Sequence, residues 1–429
     1  MAGSAFHLLK ERGFLSLFVT QFLGAFNDNL FRSALIMLIT FRLANDVDVA
    51  PAILNNLAIG LFILPYFLFS AFAGELADKF EKARQVLFIK LWEVGLALFG
   101  GVAFHMANLP FLMAVLAGLG LQSTFFGPIK YGILPDLVKR EDLLAANALI
   151  EAGTFISILL GTLVGGLLIL TDEGIESVTT LVLVVAVLGT ISGALVPKMG
   201  AAAPHIRITP NIFASTRREL KAAWASDIVR PAIIGISWIW ALGSIYLTQL
   251  PVLVHDRLGG DETVVTLFLA VFSLGIGVGS FLSNQLLRGN VSAKLALPGL
   301  GLLAAFSLLL PLVVPAMPPL GAAPLDFTGF LGLPEGWMVL ALVTLTSLAG
   351  GLVIVPLYTL LQERTPREGR SRVIAVNNIV NSGFMAGSAG IAALLAASGL
   401  DSLGILIATA AGSLLAILPL KPLDKRLQA

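Results

Sequence analysis

The sequence predicts an all-α membrane protein of twelve transmembrane helices in two six-helix, pseudo-symmetric halves. Three observations carry this. Of 429 residues, 57% are hydrophobic and only 12% charged, with a mean hydropathy of +0.92; a soluble domain is about 25% charged. Apolar runs of about 20 residues, long enough to cross a roughly 30 Å hydrocarbon core as helices, recur from end to end. Lysine and arginine are dense in every second connection and nearly absent from the others.

The same composition excludes a soluble globular enzyme, and it excludes disorder, which requires low hydrophobicity and high net charge. A net charge of +1 supplies no field to attract nucleic acid. The absence of cysteine removes disulfides, thiolate metal sites and cysteine nucleophiles together. His7, His105, His205 and His255 all fall outside the middle of any apolar run. No histidine–carboxylate set suggests a metal, and neither a G-x-S-x-G elbow nor a phosphate-binding G-x-x-x-x-G-K-(S/T) loop is present. No metal, cofactor or enzyme chemistry is expected.

The apolar runs lie near 13–43, 51–74, 84–106, 109–134, 143–170, 177–197, 229–254, 263–287, 294–316, 337–361, 372–397 and 401–420. The first is too long for a secretory signal and carries Asp28 inside it. The second runs into a charged loop. The third carries Lys90 and Glu93, which read as a structural pair on a peripheral helix. The fourth meets Gly127, Pro128 and Gly132, which are expected to break it near one end, with Lys130 among them. The fifth places Asn147, Glu151 and Thr154 on one face, and its Gly161-x-x-x-Gly165 reads as a packing surface, like Gly275, Gly277 and Gly279 of the eighth. The seventh has a polar, uncharged face of Ser237, Ser244 and Thr248 beside Trp238, Trp240 and Tyr246.

Charge sets the orientation. Basic residues fill the N-terminus (Lys10, Arg12), the even-to-odd connections and the C-terminus (Lys421, Lys425, Arg426). The odd-to-even connections hold only Arg42 and Arg257. By the positive-inside rule both termini face the cytoplasm. The polar stretch 198–226 divides the chain into a bundle at 1–197 and a second at 227–429. The halves repeat: Tyr131-Gly132-Ile133-Leu134 has its counterpart in Tyr358-Thr359-Leu360-Leu361, and Asn147, Glu151 and Gly153 are matched by Asn377, Asn381 and Gly383. Such symmetry is the residue of internal duplication.

Twelve spans, inside termini, parallel halves and a long middle loop resemble the major facilitator superfamily. The loop after the second span supports this. Gly74-Glu75-Leu76-Ala77-Asp78-Lys79-Phe80-Glu81-Lys82-Ala83-Arg84 is similar to the superfamily's Gly-x-Leu-(Ala/Asp)-Asp-(Arg/Lys)-x-Gly-(Arg/Lys)-(Arg/Lys), with Glu81 in place of the second glycine. Gly74 permits close approach to a neighbouring helix. Asp78, followed by Lys79, can cap a neighbouring helix or pair with a base, and so form a conformational latch. The corresponding segment Gly279-Ser280-Phe281-Leu282-Ser283-Asn284 lacks the acid, so the latch is expected on one side only.

Ionisable groups at bilayer depth mark a transport path. The first span reads Gln21-Phe22-Leu23-Gly24-Ala25-Phe26-Asn27-Asp28-Asn29-Leu30-Phe31-Arg32. Gln21, Asp28 and Arg32 share one helical face, and Asp28 and Arg32 can pair at i, i+4. With Lys130 and Glu151 they concentrate charge in the N-terminal half. The structural alternative is that Asp28 and Arg32 satisfy only each other.

The first-span segment, Lys130-Tyr131-Gly132-Ile133-Leu134, Ala146-Asn147-Ala148-Leu149-Ile150-Glu151-Ala152 and Val355-Pro356-Leu357-Tyr358-Thr359-Leu360-Leu361-Gln362-Glu363-Arg364 together resemble the bacterial lysophospholipid transporter family. Members carry a basic residue in the seventh span; this chain has none between Arg230 and Arg257. The resemblance implies a flippase of the bacterial inner membrane, moving lysophospholipids such as lysophosphatidylethanolamine from outer to inner leaflet for a separate acyltransferase. In such a protein Arg32 and Lys130 hold phosphate, Asp28 and Glu151 hold an amine, and Asn27, Asn29 and Asn147 bond glycerol oxygens. The alternative is a proton-coupled drug exporter in which Asp28 and Glu151 carry the proton; a non-transporting scaffold has no need of charge at the membrane centre.

Overall fold

The computed structural model describes residues 5–42, 50–314, 324–421 and 423. Lys425, Arg426 and the last residues of the first and ninth apolar runs lie outside them. Among the described residues, twelve helices are long and apolar enough to cross a membrane. In chain order the helices are α1 (Arg12–Phe41), α2 (Pro51–Lys79), α3 (Lys82–His105), α4 (Leu109–Leu137), α5 (Leu143–Leu168), α6 (Gly174–Ala194), α7 (Ile212–Trp224), α8 (Val229–Leu253), α9 (Glu262–Leu287), α10 (Ala296–Val313), α11 (Phe327–Leu331), α12 (Pro334–Arg364), α13 (Arg370–Ala397) and α14 (Ser402–Leu420). All but α7 and α11 are spans.

The spans overrun the apolar runs where polar partners wait for them. The helix of the second run does not stop at Gly74 but continues through Glu75 and Asp78 to Lys79, because both carboxylates find partners outside α2. Glu81, where the superfamily has glycine, caps α3 through the Ala83 N–H at 3.3 Å and also receives the Met199 N–H at 3.1 Å. Contrary to expectation, α4 is unbroken: Pro128 and Pro135 both lie inside it, as Pro356 lies inside α12. Neighbouring spans in a membrane bundle re-satisfy the few backbone groups a proline frees, so the helix persists.

Close helix approach builds the bundle. The α1–α5 contact is tightest at Gly165, where an added Cβ would fall 2.2 Å from the Leu30 carbonyl oxygen; at Gly279 in the α9–α12 contact it would fall 2.0 Å from that of Leu348. Neither position has room for a side chain, which is how small residues let membrane helices pack. Gly277 differs, with ordinary 3.5 Å contact to Ala152. Phe88, Leu167 and Leu394 are exposed on the outside of the bundle, where hydrocarbon tails rather than water are their natural surroundings. Across the two sets of six spans, α2 packs on α13 and α5 on α9.

Both described chain ends lie at the end of the bundle that carries α7, here termed the linker end. Phe6, in the 3₁₀ turn Ala5–Lys10, stacks on Phe281 at 5.3 Å, and Leu420 packs at Gly235 near the start of α8. Gly165→Ala should lower the melting midpoint of the detergent-purified protein, an overpacking cost of roughly 1–3 kcal/mol. Gly277→Ala should melt with the parent. Equal behaviour of the two variants would show that the α1–α5 approach is not limiting.

Candidate functional site

Polar residues inside the spans form two levels along α1 and a closed seam at the linker end. At the lower level Tyr131 of α4 donates its hydroxyl to Glu151 of α5. Lys130 reaches Thr154 at 3.4 Å and lies 4.6 Å from the Tyr131 ring centroid. Thr154 donates to Gln21 of α1 at 3.0 Å. Glu151 is fully buried, and its second oxygen and the Gln21 amide nitrogen have no partner. Lys130 keeps part of its surface accessible. The arrangement is an acid sealed behind a base that can still be reached.

From there the network crosses to the second set of spans. The Tyr131 ring stacks on Tyr358 of α12 at 4.3 Å and 4°. The Tyr358 hydroxyl accepts from Trp240 and Asn377, each at 3.2 Å, and Ser237 donates to Asn381 at 2.6 Å. The two tyrosines are repeat counterparts. One answers a carboxylate and the other an amide, so the charge difference read from the sequence appears as a difference in what each tyrosine touches.

The upper level stands about 10 Å further along α1, from the seven-residue step between Gln21 and Asp28. Asp28 accepts from Ser123 of α4, and its other oxygen is buried without a partner. Arg32 does not form the expected ion pair with Asp28; it donates to Asn29 and lies 5.6 Å from the Phe62 ring centroid. Asn27 points away from this level and donates to Glu93 at 3.1 Å. Glu93 also accepts from Lys90 and from Gln122, the latter at 3.1 Å. The Lys90–Glu93 pair is therefore no isolated peripheral bridge. It is a fully buried hub joining α1, α3 and α4, connected through Gln122 and Ser123 to Asp28. An apolar hollow of about 430 Å³ between α3 and α6 lies away from both levels, facing outward past Leu98 and Met106.

The seam at the linker end holds the two sets of spans together. Asp136 at the end of α4 accepts from Arg367 and Arg370, both at 3.1 Å. Its repeat counterpart Glu363, at the end of α12, accepts from Arg140 at 2.6 Å. Asn147 lies here rather than in an open site: it exchanges hydrogen bonds with Gln362 at 2.6 and 3.1 Å and reaches Thr359 at 3.2 Å. Asp78 has no exposed surface. It accepts the N–H groups of Ser371 and Arg372 in the first turn of α13 at 3.1 and 3.2 Å, the Arg372 guanidinium at 3.3 Å, and has Lys82 at 3.7 Å. A carboxylate is favoured at a helix N-terminus by free donors and the dipole together. Gly74 allows this: an added Cβ would meet Ala375 Cβ at 2.7 Å. Lys79 takes no part and lies over the Phe80 ring; Lys82 occupies the basic role instead. On the opposite side Ser283, at the position of the missing acid, is buried with its hydroxyl unpartnered.

Residues 17–390 match the Major Facilitator Superfamily. The chain is 30% identical over 387 residues to the lysophospholipid transporter LplT of Escherichia coli, covering 88% of this chain and 87% of that one. It is 29% identical to LplT of Citrobacter koseri, covering 92% and 89%. The chain belongs to the lysophospholipid transporter family of the major facilitator superfamily. In fold the transporter is similar to the human organic anion transporter MFSD10, with a TM-score of 0.76, 14% identity and coverage of 95% and 99%. It is also similar to a bacterial homologue of the iron transporter ferroportin in an outward-facing state, with a TM-score of 0.72, 15% identity and coverage of 96% and 100%.

Sequence reading missed Ser123, Gln122 and Asp136, the bond from Trp240 to Tyr358, and the engagement of Tyr131 with Tyr358. The tyrosines had a signal, since both lie in the repeated Tyr-x-x-Leu segments. Asp136 had none, because a lone acid at the end of a span looks like any solvated charge. Removing the seam's acids should open the linker end of this transporter. In the cysteine-free chain, Thr359→Cys is a buried reporter. Its alkylation by a water-soluble maleimide should accelerate in an Asp78→Asn/Asp136→Asn background, about ten-fold for each ~1.4 kcal/mol of closure lost. An unchanged rate would leave the seam without a role in closure.

Proposed function

We propose that this transporter moves lysophospholipids from the outer to the inner leaflet of a bacterial inner membrane, where a separate acyltransferase restores the second chain. The observation that carries the reading is the 30% identity to the E. coli lysophospholipid transporter along 88% of the chain. The polar geometry fits such a cargo. Arg32 and Lys130 are the partly accessible cations and suit the phosphate. Asp28 and Glu151 each keep one buried oxygen without a partner and suit an ammonium. Asn29, beside Arg32, suits glycerol oxygens. Asn27 supports the site indirectly through Glu93, and Asn147 belongs to the seam.

The functional division is a bundle at 1–197, a linker at 198–226 and a bundle at 227–429, which rock about the two charged levels. Both termini face the cytoplasm, as the basic connections require. The seam then closes the cytoplasmic side and leaves the headgroup levels to be loaded from the outer leaflet. Gly74 and Asp78, with Lys82 rather than Lys79, form the latch that breaks when the transporter turns inward.

Uptake of lysophosphatidylethanolamine by spheroplasts of a transporter-deficient strain tests the cargo. Expression of this chain should restore uptake. Asp28→Leu/Arg32→Leu should keep membrane abundance and abolish uptake, and Lys130→Ala should reduce it. Wild-type uptake by the double variant would refute the headgroup role. Dependence on an imposed proton gradient, with a drug rather than lipid as cargo, would favour efflux. For orientation, a single cysteine at Glu173 should react with an impermeant reagent from outside and one at Arg217 should not; the reverse pattern would overturn the topology.

A further inference from the structure

The linker is more than a tether, because α7 has two faces of different chemistry. One is docked. Ser215, Glu219 and Ala223 are buried. Glu75 of α2, fully buried, accepts from the Thr209 N–H at 2.7 Å, from Arg218 at 2.6 Å and from the Ser215 hydroxyl. Glu219 pairs with Arg218 at 2.9 Å and with Arg372 of α13 at 3.7 Å. Asn211 caps the helix through the Phe213 and Ala214 N–H groups at 3.0 and 3.1 Å. The helix is thus rigidly seated across the ends of α2 and α13.

The other face is Phe213, Arg217, Lys221 and Trp224, at steps of four, four and three, which places them in one stripe. All four are exposed, Phe213 to 70% and Trp224 to 39%. Among the described residues neither Arg217 nor Lys221 has an ion-pair partner. The only acid in α7 is the buried Glu219. An aromatic at each end with two uncompensated cations between them suits a membrane–water interface. Depth agrees. Glu75 lies four residues before the end of α2, about 6 Å of helical rise, and the headgroup layer is roughly 5–7 Å thick on each side. A helix bonded to Glu75 from outside the bundle sits level with that layer, beside the lipid-facing surfaces of α2 and α13.

We propose that α7 is an interfacial helix whose Phe213–Arg217–Lys221–Trp224 face binds the anionic phospholipid surface of the bilayer. Because Glu219 also holds Arg372, which Asp78 binds, this contact secures the helix that supports the latch. The inference does not depend on the identity of the cargo.

The chain has no cysteine, so one label is unambiguous. Ala222→Cys, an exposed position on α7, would carry a fluorophore in the full-length protein, reconstituted in phosphatidylcholine nanodiscs. A minor fraction of lipid would be brominated, as phosphatidylglycerol or as phosphatidylcholine at equal content. Brominated phosphatidylglycerol should quench more strongly, and the preference should shrink as salt is raised. Each basic residue near an anionic surface gives on the order of a five-fold preference, so two give roughly thirty-fold local enrichment at low salt. Arg217→Glu/Lys221→Glu, which leaves the Glu75 and Glu219 contacts intact, should abolish the preference while eluting as the parent does. Equal quenching by the two lipids in the parent, no quenching by either, or a preference that survives the charge reversal would each overturn the proposal. Absence of quenching would mean that the face meets water or a soluble partner.

Discussion

Asp78 against the first turn of α13 is the contact on which the closed end of this transporter depends. A carboxylate without exposed surface is tolerable only when several donors answer it, and removing its partners would leave a buried charge uncompensated. Two backbone amides, a guanidinium and an ammonium do so here. The contact requires α2 and α13 to meet almost backbone to backbone, which Gly74 permits and any larger residue would prevent. Once that approach is made, the neighbouring acids and bases come into register. Arg372 lies between Asp78 and Glu219, and Asp136 lies between Arg367 and Arg370. Apart from Lys82 of α3, which shares a half with Asp78, and Glu219 of α7, these donors and acceptors face across the boundary between the two sets of spans.

The seam is symmetric and the interior is not. Asp136 with Arg367 and Glu363 with Arg140 are reciprocal pairs between repeat counterparts, and the Tyr131–Tyr358 stack joins matching residues. Above the seam the correspondence fails. Glu151 faces Tyr131, whereas an uncharged amide of α13 faces Tyr358. Duplication would by itself produce two equal closures and two equal sites. This chain keeps the closure and places its ionisable groups on one side. A cargo with a charged head and a long apolar tail has that same lopsided character.

Within the N-terminal spans the charges are arranged as successive layers rather than a single cluster. Lys130 and Glu151 share one level of α1 with Gln21; Asp28 and Arg32 stand two turns away. Lys90 and Glu93 support the upper level from behind through Gln122 and Asn27. At the two levels Arg32 and Lys130 remain partly open while Asp28 and Glu151 are closed off, which is the cheaper arrangement in a low-dielectric interior: long basic side chains can keep their heads solvated, and short carboxylates cannot.

The number of spans, their order and the positions of the ionisable groups are legible in the amino-acid sequence alone. Hydropathy, basic connections and the repeat of Tyr131 through Gly153 in Tyr358 through Gly383 are all local or periodic signals, and the bilayer makes them nearly obligatory. Gly74 and Asp78 were marked as well, because they stand at matching positions of the superfamily's loop motif. Which group each polar side chain meets follows from the packing of the spans. Asn27 and Asn29 are two residues apart, yet Asn27 reaches Glu93 of α3 while Asn29 bonds Arg32 within α1; Asn147 is one turn from Glu151 and belongs to the seam; Lys82 rather than Lys79 meets Asp78. One residue along a helix turns a side chain by about a quarter of a circle. The partner is then set by which helix stands on that side, and helix neighbours are fixed by packing between distant segments, which no local spacing encodes.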